Sequence, residues 1–348
     1  MMTEPVVSVC ILSAGRTRQL DACLSSLVAQ ELAPESELLV CANGDDAAET
    51  VVRRHFPEAT VIQTSRSRLG AARNRLIAEA SGDLLLFLDD DVIVPPLMLH
   101  RLVELARNHP EVSVFGGPNT TPPGSTHFQR VQGTVLASIV TSGPVRRRYG
   151  HHPPGPADER FFTLCNMAVR RDSMRDFDST LTGGEENHLL IEMSTQGLSM
   201  HYDPHLNVWH QRRPSLTSFA RQMFKYGSGR GQVMVRSPRH QRLEYLLPTL
   251  LLAYWLLLPI LASINITAAV PGLLYLIAVG AASTKIAWRM HQPAAAPLAF
   301  GLILTVHFLY AFGLVGGVRI QLWRLLRARR SIHDLRDSAG GLEGSARQ

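Results

Sequence analysis

The sequence predicts an α/β domain on a mostly parallel sheet, followed by a C-terminal transmembrane helical region. Three observations predict this. Short apolar runs alternate with segments of helical spacing through the first part of the chain. Several of these runs end at polar tips rich in Gly, Asn and Asp. Three long stretches without carboxylates crowd into the last third.

The composition sets the frame. The chain has 348 residues, room for about two domains. Charged residues make up 18% and hydrophobic residues 45%, which excludes a disordered chain, a collagen and a small disulfide scaffold. Net charge is +6, but only Lys225 and Lys285 among the basic residues are lysines. An arginine-heavy count is no sign of nucleic acid by itself, and no nucleic-acid partner is expected. Cys10, Cys23, Cys41 and Cys165 show no metal-binding spacing and read as buried, reduced thiols.

Val6–Leu12 is a β-branched apolar run ending at Ser13-Ala14-Gly15. Leu20, Leu24, Leu27 and Val28 follow at helical spacing. Leu38–Cys41 is a second strand, ending at Asn43-Gly44-Asp45, and a polar helix leads on through Arg54. Thr60–Gln63 is a third strand, and Ala71–Ala80 is a helix stopped by Ser81-Gly82. Leu84–Leu88 is a wholly apolar fourth strand that runs into Asp89-Asp90-Asp91. Strands separated by helices imply right-handed crossovers and a parallel sheet. Ligands bind such sheets beyond the carboxyl ends of the strands, so the three tips should converge on one crevice.

The acidic tip carries the most chemistry. Three adjacent carboxylates repel one another unless a cation sits among them. Side chains alternate along an extended backbone, so Asp89 and Asp91 face the same way. Hard oxygen donors suit Mg²⁺ or Mn²⁺ bridging to phosphate. The competing reading is a solvated acidic turn or a helix cap.

The last third reads as membrane. Residues 246–318 hold no Asp or Glu, and their only Lys or Arg residues are Lys285 and Arg289. The apolar runs Leu246–Ile264, Val270–Trp288 and Pro297–Val318 each approach the roughly 20 residues that span a bilayer. From Pro204 to Leu243 there are eight basic residues and no acidic one, and Arg319, Arg324, Arg327, Arg329 and Arg330 follow the last run. Basic flanks mark the cytoplasmic side, and three crossings cannot leave both flanks inside. One run is therefore re-entrant, interfacial or part of a hairpin, and Lys285, Trp288 and Arg289 single out the second. Ile320–Arg330 reads as a basic amphipathic helix on the anionic leaflet. Met1–Pro5 carries no basic signal region and leads straight into a strand. The expected division is 1–230 catalytic, 231–330 membrane with two to three crossings, and 331–348 disordered.

Four stretches carry a family resemblance: VSVCILSAGRTRQLDACLSSLVAQ; SRLGAARNRLIAEASGDLLLFLDDD; CNMAVRRDSMRDFD; and GGEENHLL followed by QGL. The chain resembles family 2 glycosyltransferases with the Rossmann-like GT-A fold, of the membrane-anchored type found in succinoglycan and other exopolysaccharide assembly. The resemblance implies a DxD motif at Asp89-Asp90-Asp91. Asp91 is then the first metal ligand, joined by Asp89, with Asp89 and Asp90 toward the nucleotide. Ser13, Gly15 and Arg16 should meet the nucleotide. Arg68 and Arg73 should line the sugar-nucleotide pocket, where a planar, permanent cation suits diphosphate. Asn43 stands where the family carries a base-reading aspartate. The cofactors implied are Mg²⁺ or Mn²⁺ and a nucleotide-sugar donor, UDP-linked before GDP- or dTDP-linked.

Glu186 falls at the position of the general base, with Glu185 the alternative; both would also suit the first turn of a helix. Gln222, Lys225 and Tyr226 resemble a QxxRW motif at an acceptor or interfacial position. Thr126–Ser142 reads as an acceptor-side helix. The histidines fit no closed zinc template, and His210 alone lies after a strand near the expected site. The implied activity is inverting transfer of one sugar to a lipid-linked or glycan acceptor. The implied location is the inner membrane, multi-pass, with the catalytic domain cytoplasmic and lipids as partners. The alternatives are a processive polysaccharide synthase and a non-catalytic membrane scaffold.

Overall fold

The structure is a computed structural model, and it describes residues 6–30, 36–240 and 242–345, with side chains as far as 327. The first half alternates as the sequence predicts: β1 (Val7–Ser13), α1 (Thr17–Val28), β2 (Glu37–Asn43), α2 (Ala48–His55), β3 (Thr60–Thr64), α3 (Leu69–Glu79) and β4 (Leu84–Asp89). Next come β5 (Val92–Ile93), α4 (Met98–Asn108), β6 (Val112–Gly116), β7 (Asn119–Thr120), α5 (His127–Leu136) and α6 (Ile139–Ser142). The domain closes with β8 (Gly155–Pro156), β9 (Met167–Arg170), α7 (Glu185–Thr195), β10 (Ser199–Tyr202), β11 (Val208–His210) and α8 (Leu216–Arg236). The apolar region is α9 (Leu247–Ile264), α10 (Val270–Arg289) and α11 (Ala295–Ser345).

The large sheet has eight strands in the order β3-β2-β1-β4-β9-β6-β10-β8. β1 pairs in parallel with β2 and β4, β2 with β3, and β6 with β10. β9 runs antiparallel between β4 and β6, so the sheet is mostly parallel. Alternation along β1 splits the core. Val7, Val9 and Ile11 pack under α1, α2 and α4 with Leu20, Leu24 and Leu102, while Cys10 and Leu12 pack under α3 and α7 with Leu76, Leu189 and Leu190. Each such fully buried side chain contributes about 1.5–3 kcal/mol relative to exposure. A three-stranded sheet, β5-β11-β7, sits at the carboxyl end of β4.

Cys10, Cys23, Cys41 and Cys165 are free and buried, and burial pushes the Cys10, Cys23 and Cys165 thiols well up. The helix expected over Thr126–Ser142 is interrupted between α5 and α6, and Thr126 caps α5 through a reciprocal bond pattern with Gln129. The boundary expected at 230 falls inside α8, which ends only at Arg236. Three helical stretches, Leu243–Ile264, Ile266–Arg289 and Ala295–Arg327, are long and apolar enough to cross a membrane. The tail expected over 331–348 lies outside the residues whose side chains are described.

Candidate active site

The loop after β1, the end of β2, the tip of β4, β11 and the start of α7 meet beyond the carboxyl end of the sheet. Asp45 draws the first two together: its Oδ2 accepts from Ser13 Oγ at 2.8 Å and from the Gly15 amide at 2.9 Å. That bridging role was missed in the sequence, where Asp45 stood only as one residue of a polar tip.

β4 ends at Asp89, and Asp90 and Asp91 fall in the turn that follows. Asp89 is partly exposed, Asp90 is fully buried and Asp91 is almost buried. Burial pushes the Asp90 carboxyl up to about 7; Arg16 opposes this, and Asp91 and Asp89 add to it. Burial would also raise Asp91, but His210, Arg16 and Arg213 outweigh it and hold that carboxyl well below the usual range. Arg16 is ion-paired to both Asp90 and Asp91. Arg213 stands 3.8 Å from Asp91.

β11 brings a third candidate ligand. Its antiparallel register with β5 sets His210 against Val92, which places His210 Nε2 3.0 Å from Asp91 Oδ1. Donor atoms of Asp89, Asp91 and His210 all lie within 4.8 Å of one another. Two carboxylates and an imidazole fit Mg²⁺ or, better, Mn²⁺. His210 is therefore a buried member of the acidic cluster, whereas the sequence reads His151, His152, His201 and His205 as surface or loop groups.

Arg73 links this cluster to α7. It is almost buried, lies 2.5 Å from Glu185 Oε1 and 3.5 Å from Asp89 Oδ1. The DxD tip and the second acidic motif, 96 residues apart, thus share one guanidinium. Gly184 gives α7 its start with φ +77°, a conformation that glycine adopts without strain. Glu185 is spent on Arg73, whereas Glu186 Oε1 accepts from Asn187 Nδ2 at 2.7 Å. Burial and neighbouring Glu185 raise the Glu186 carboxyl, against the pull of Arg148 and Arg73.

Other expected contacts point elsewhere. Asn43 Oδ1 accepts from the Ser67 amide at 2.7 Å, and its Nδ2 donates to the Ser67 carbonyl at 3.0 Å. Its hydrogen-bonding capacity goes to the loop ahead of α3. Arg68 Nη1 donates to the carbonyls of Ser179 and Thr180, so it clamps the segment leading to α7. On α8, Gln222 donates to the Tyr226 hydroxyl at 2.9 Å. Lys225 is exposed, and Tyr226 sits within the fields of Arg212 and Arg213, on the Asp91 side. A cavity of about 530 Å³ opens beside α5, bounded by Thr121, Arg130, Thr134, Tyr149, Met290 and Gln292.

Comparison with known proteins gives the family and the fold. Residues 5–229 match the family model described as glycosyltransferase like family 2. Succinoglycan biosynthesis protein ExoM of Rhizobium meliloti is 27% identical over 235 residues, covering 63% of this chain and 72% of that protein. Glycosyltransferase AglE of Haloferax volcanii is 26% identical over 246 residues, covering 66% and 75%. Among solved structures, the mannosyltransferase PcManGT of Pyrobaculum calidifontis, in complex with GDP-Man and Mn²⁺, superposes with a TM-score of 0.60 at 16% identity over 91% of this chain and 88% of that one. The GT-A architecture follows, and the chain belongs to glycosyltransferase family 2.

Proposed function

We propose that this chain transfers a single sugar, with inversion, from a nucleotide-diphosphate donor to a lipid-linked or glycan acceptor at the cytoplasmic face of the inner membrane. The observation that carries this reading is Arg73 bridging Asp89 and Glu185, which leaves Glu186 beside the crevice without a salt bridge among the described residues. Exopolysaccharide or cell-envelope glycan synthesis is the setting that the succinoglycan relative supports. Its apolar C-terminal helices would anchor the chain as a multi-pass protein.

Glu186 takes the proton from the acceptor hydroxyl. That oxygen forms its bond to the anomeric carbon from the face opposite the diphosphate, and the diphosphate leaves with the electrons of the broken carbon–oxygen bond. A positioned base contributes about 10²–10⁴-fold. Asp89, Asp91 and His210 would hold Mg²⁺ or Mn²⁺, which when bound offsets the charge on the leaving diphosphate. Arg16 and Arg213 border the same carboxylates and are placed to turn toward that charge. UDP-sugars are the first donors to try, then GDP- and dTDP-sugars. Asn43 is engaged with Ser67, so base choice falls to other groups.

Thermal shift against these donors with Mn²⁺ identifies the donor, and sugar transfer is then assayed on Glu186→Gln. The expected result is donor binding retained with transfer lost by at least 10²-fold. Full transfer by Glu186→Gln would remove Glu186 as the base.

A further inference from the structure

The third apolar helix, α11, does not pass away from the catalytic domain; it lies along it. At its start, His127 Nδ1 on α5 is 2.8 Å from Gln292 Oε1, just before the helix. His307 Nε2 is 3.0 Å from the carbonyl of Val140 on α6. Tyr310 lies within the field of Arg230 on α8. Arg324 donates to the Thr180 carbonyl at 3.0 Å and to Gln232 on α8.

Between these anchors the two backbones touch. A Cβ on Gly313 would stand 2.1 Å from the Phe224 carbonyl oxygen, and one on Gly317 would stand 2.0 Å from that of Ser228. Reciprocally, a Cβ on Gly227 would stand 2.0 Å from the Tyr310 oxygen, and one on Gly231 would stand 2.2 Å from that of Leu314. This is small-xxx-small packing on both helices.

His307 and Arg324 are separated by about 26 Å of helix at 1.5 Å per residue, nearly the roughly 30 Å of a hydrocarbon core. A helix crossing the bilayer would carry one of these anchors to the far side, yet both hold the same domain. Beyond the stretch that α10 covers, α11 presents an exposed face. Phe312, Val315, Leu322 and Leu326 follow one another there at spacings of three, seven and four, with exposed Trp323 beside them. Arg319 stands exposed among them, and the Arg327 guanidinium lies 4.0 Å over the Trp323 ring. Apolar anchors interleaved with arginines suit an anionic leaflet.

We propose that α11 is a surface-lying helix whose Phe312–Leu326 stripe docks on the bilayer leaflet facing the catalytic domain, so that the chain leaves the membrane on the side where it entered. α10 packs against the first half of α11, with the Tyr275 hydroxyl 2.9 Å from His307 Nδ1, and both basic flanks then share one side. The sequence singles out the second apolar run as the exception; the packing singles out the third.

Two measurements test this, and neither uses the sugar-transfer reaction, so the proposed activity stands or falls separately. The first labels a cysteine appended after Gln348 with a membrane-impermeant maleimide; the four native cysteines are buried. Protection in intact cells with labelling in inverted vesicles is expected, and labelling in intact cells overturns the proposal. The second reads the immersion depth of a spin label at Val315→Cys, near the middle of Ala295–Arg327. A depth of about 5–10 Å is expected; a label at the bilayer centre, about 15 Å deep, overturns it.

Discussion

Asn187 Nδ2 donates to Glu186 Oε1 at 2.7 Å, while Asn187 Oδ1 accepts from Arg148 at 2.8 Å and from Arg230 at 2.7 Å. One amide thus joins the proposed base to two almost buried guanidinium groups. Arg230 lies on α8, whose next residue, Gly231, packs on the Leu314 carbonyl of α11, so that amide reaches from the active site to the α8–α11 contact.

This bridge predicts a pH effect. Glu186 must be ionised to accept a proton, and its carboxyl is raised by burial and by Glu185, so kcat falls as pH drops through that raised value. Asn187→Ala removes a hydrogen bond to the ionised form, worth about 1.5–3 kcal/mol, or roughly one to two pH units. The acidic limb of the kcat profile should therefore move to higher pH, with donor KM unchanged. A profile that merely drops in height would show that Asn187 only supports the fold.

The acidic cluster predicts the metal response. His210→Ala should weaken Mn²⁺ binding by at least about 10–100-fold, the range seen when groups supporting a metal site are removed. Asp91→Asn should abolish Mn²⁺-dependent nucleotide affinity and transfer together. Calorimetric titration with Mn²⁺ checks both. Unchanged affinity in His210→Ala would take the imidazole out of the ligand set.

Arg73 should matter to stability as well as to catalysis. Its pair with Glu185 is almost wholly buried on both sides. Arg73→Met leaves Glu185 charged and unpaired, at a cost of about 3–5 kcal/mol, which a denaturant melt in detergent would report. Arg73→Lys should lose less, since one ammonium keeps a charge there but cannot reach both carboxylates as a fork does.

The glycine contacts predict a positional contrast on α11. Gly317→Ala places a methyl on the Ser228 carbonyl and should cost about 1–3 kcal/mol by overpacking. Gly301→Ala, where a Cβ meets nothing within 4 Å, should be neutral or slightly stabilising, since alanine favours helix over glycine. Equal thermal shifts for the two would contradict close packing of α8 on α11.

Local chemistry made much of this protein legible. The apolar run of β4 ending in three aspartates is a buried strand with an acidic tip whatever the rest of the chain does. Asp89 and Asp91, two residues apart, turn donor atoms toward one site. Glycine ahead of two acids and a helical run marks the start of α7, and uncharged stretches of membrane length declare themselves by composition. Tertiary structure decided what depends on partners distant in sequence. It set β9 antiparallel between β4 and β6. It turned Asn43 onto Ser67 and Arg68 onto the carbonyls before α7, and it delivered His210 to Asp91 through the pairing of β11 with β5. It also laid α11 along α8. Such outcomes rest on register and on which surfaces remain to be covered, and the energies that choose among them arise only once the chain has folded back on itself.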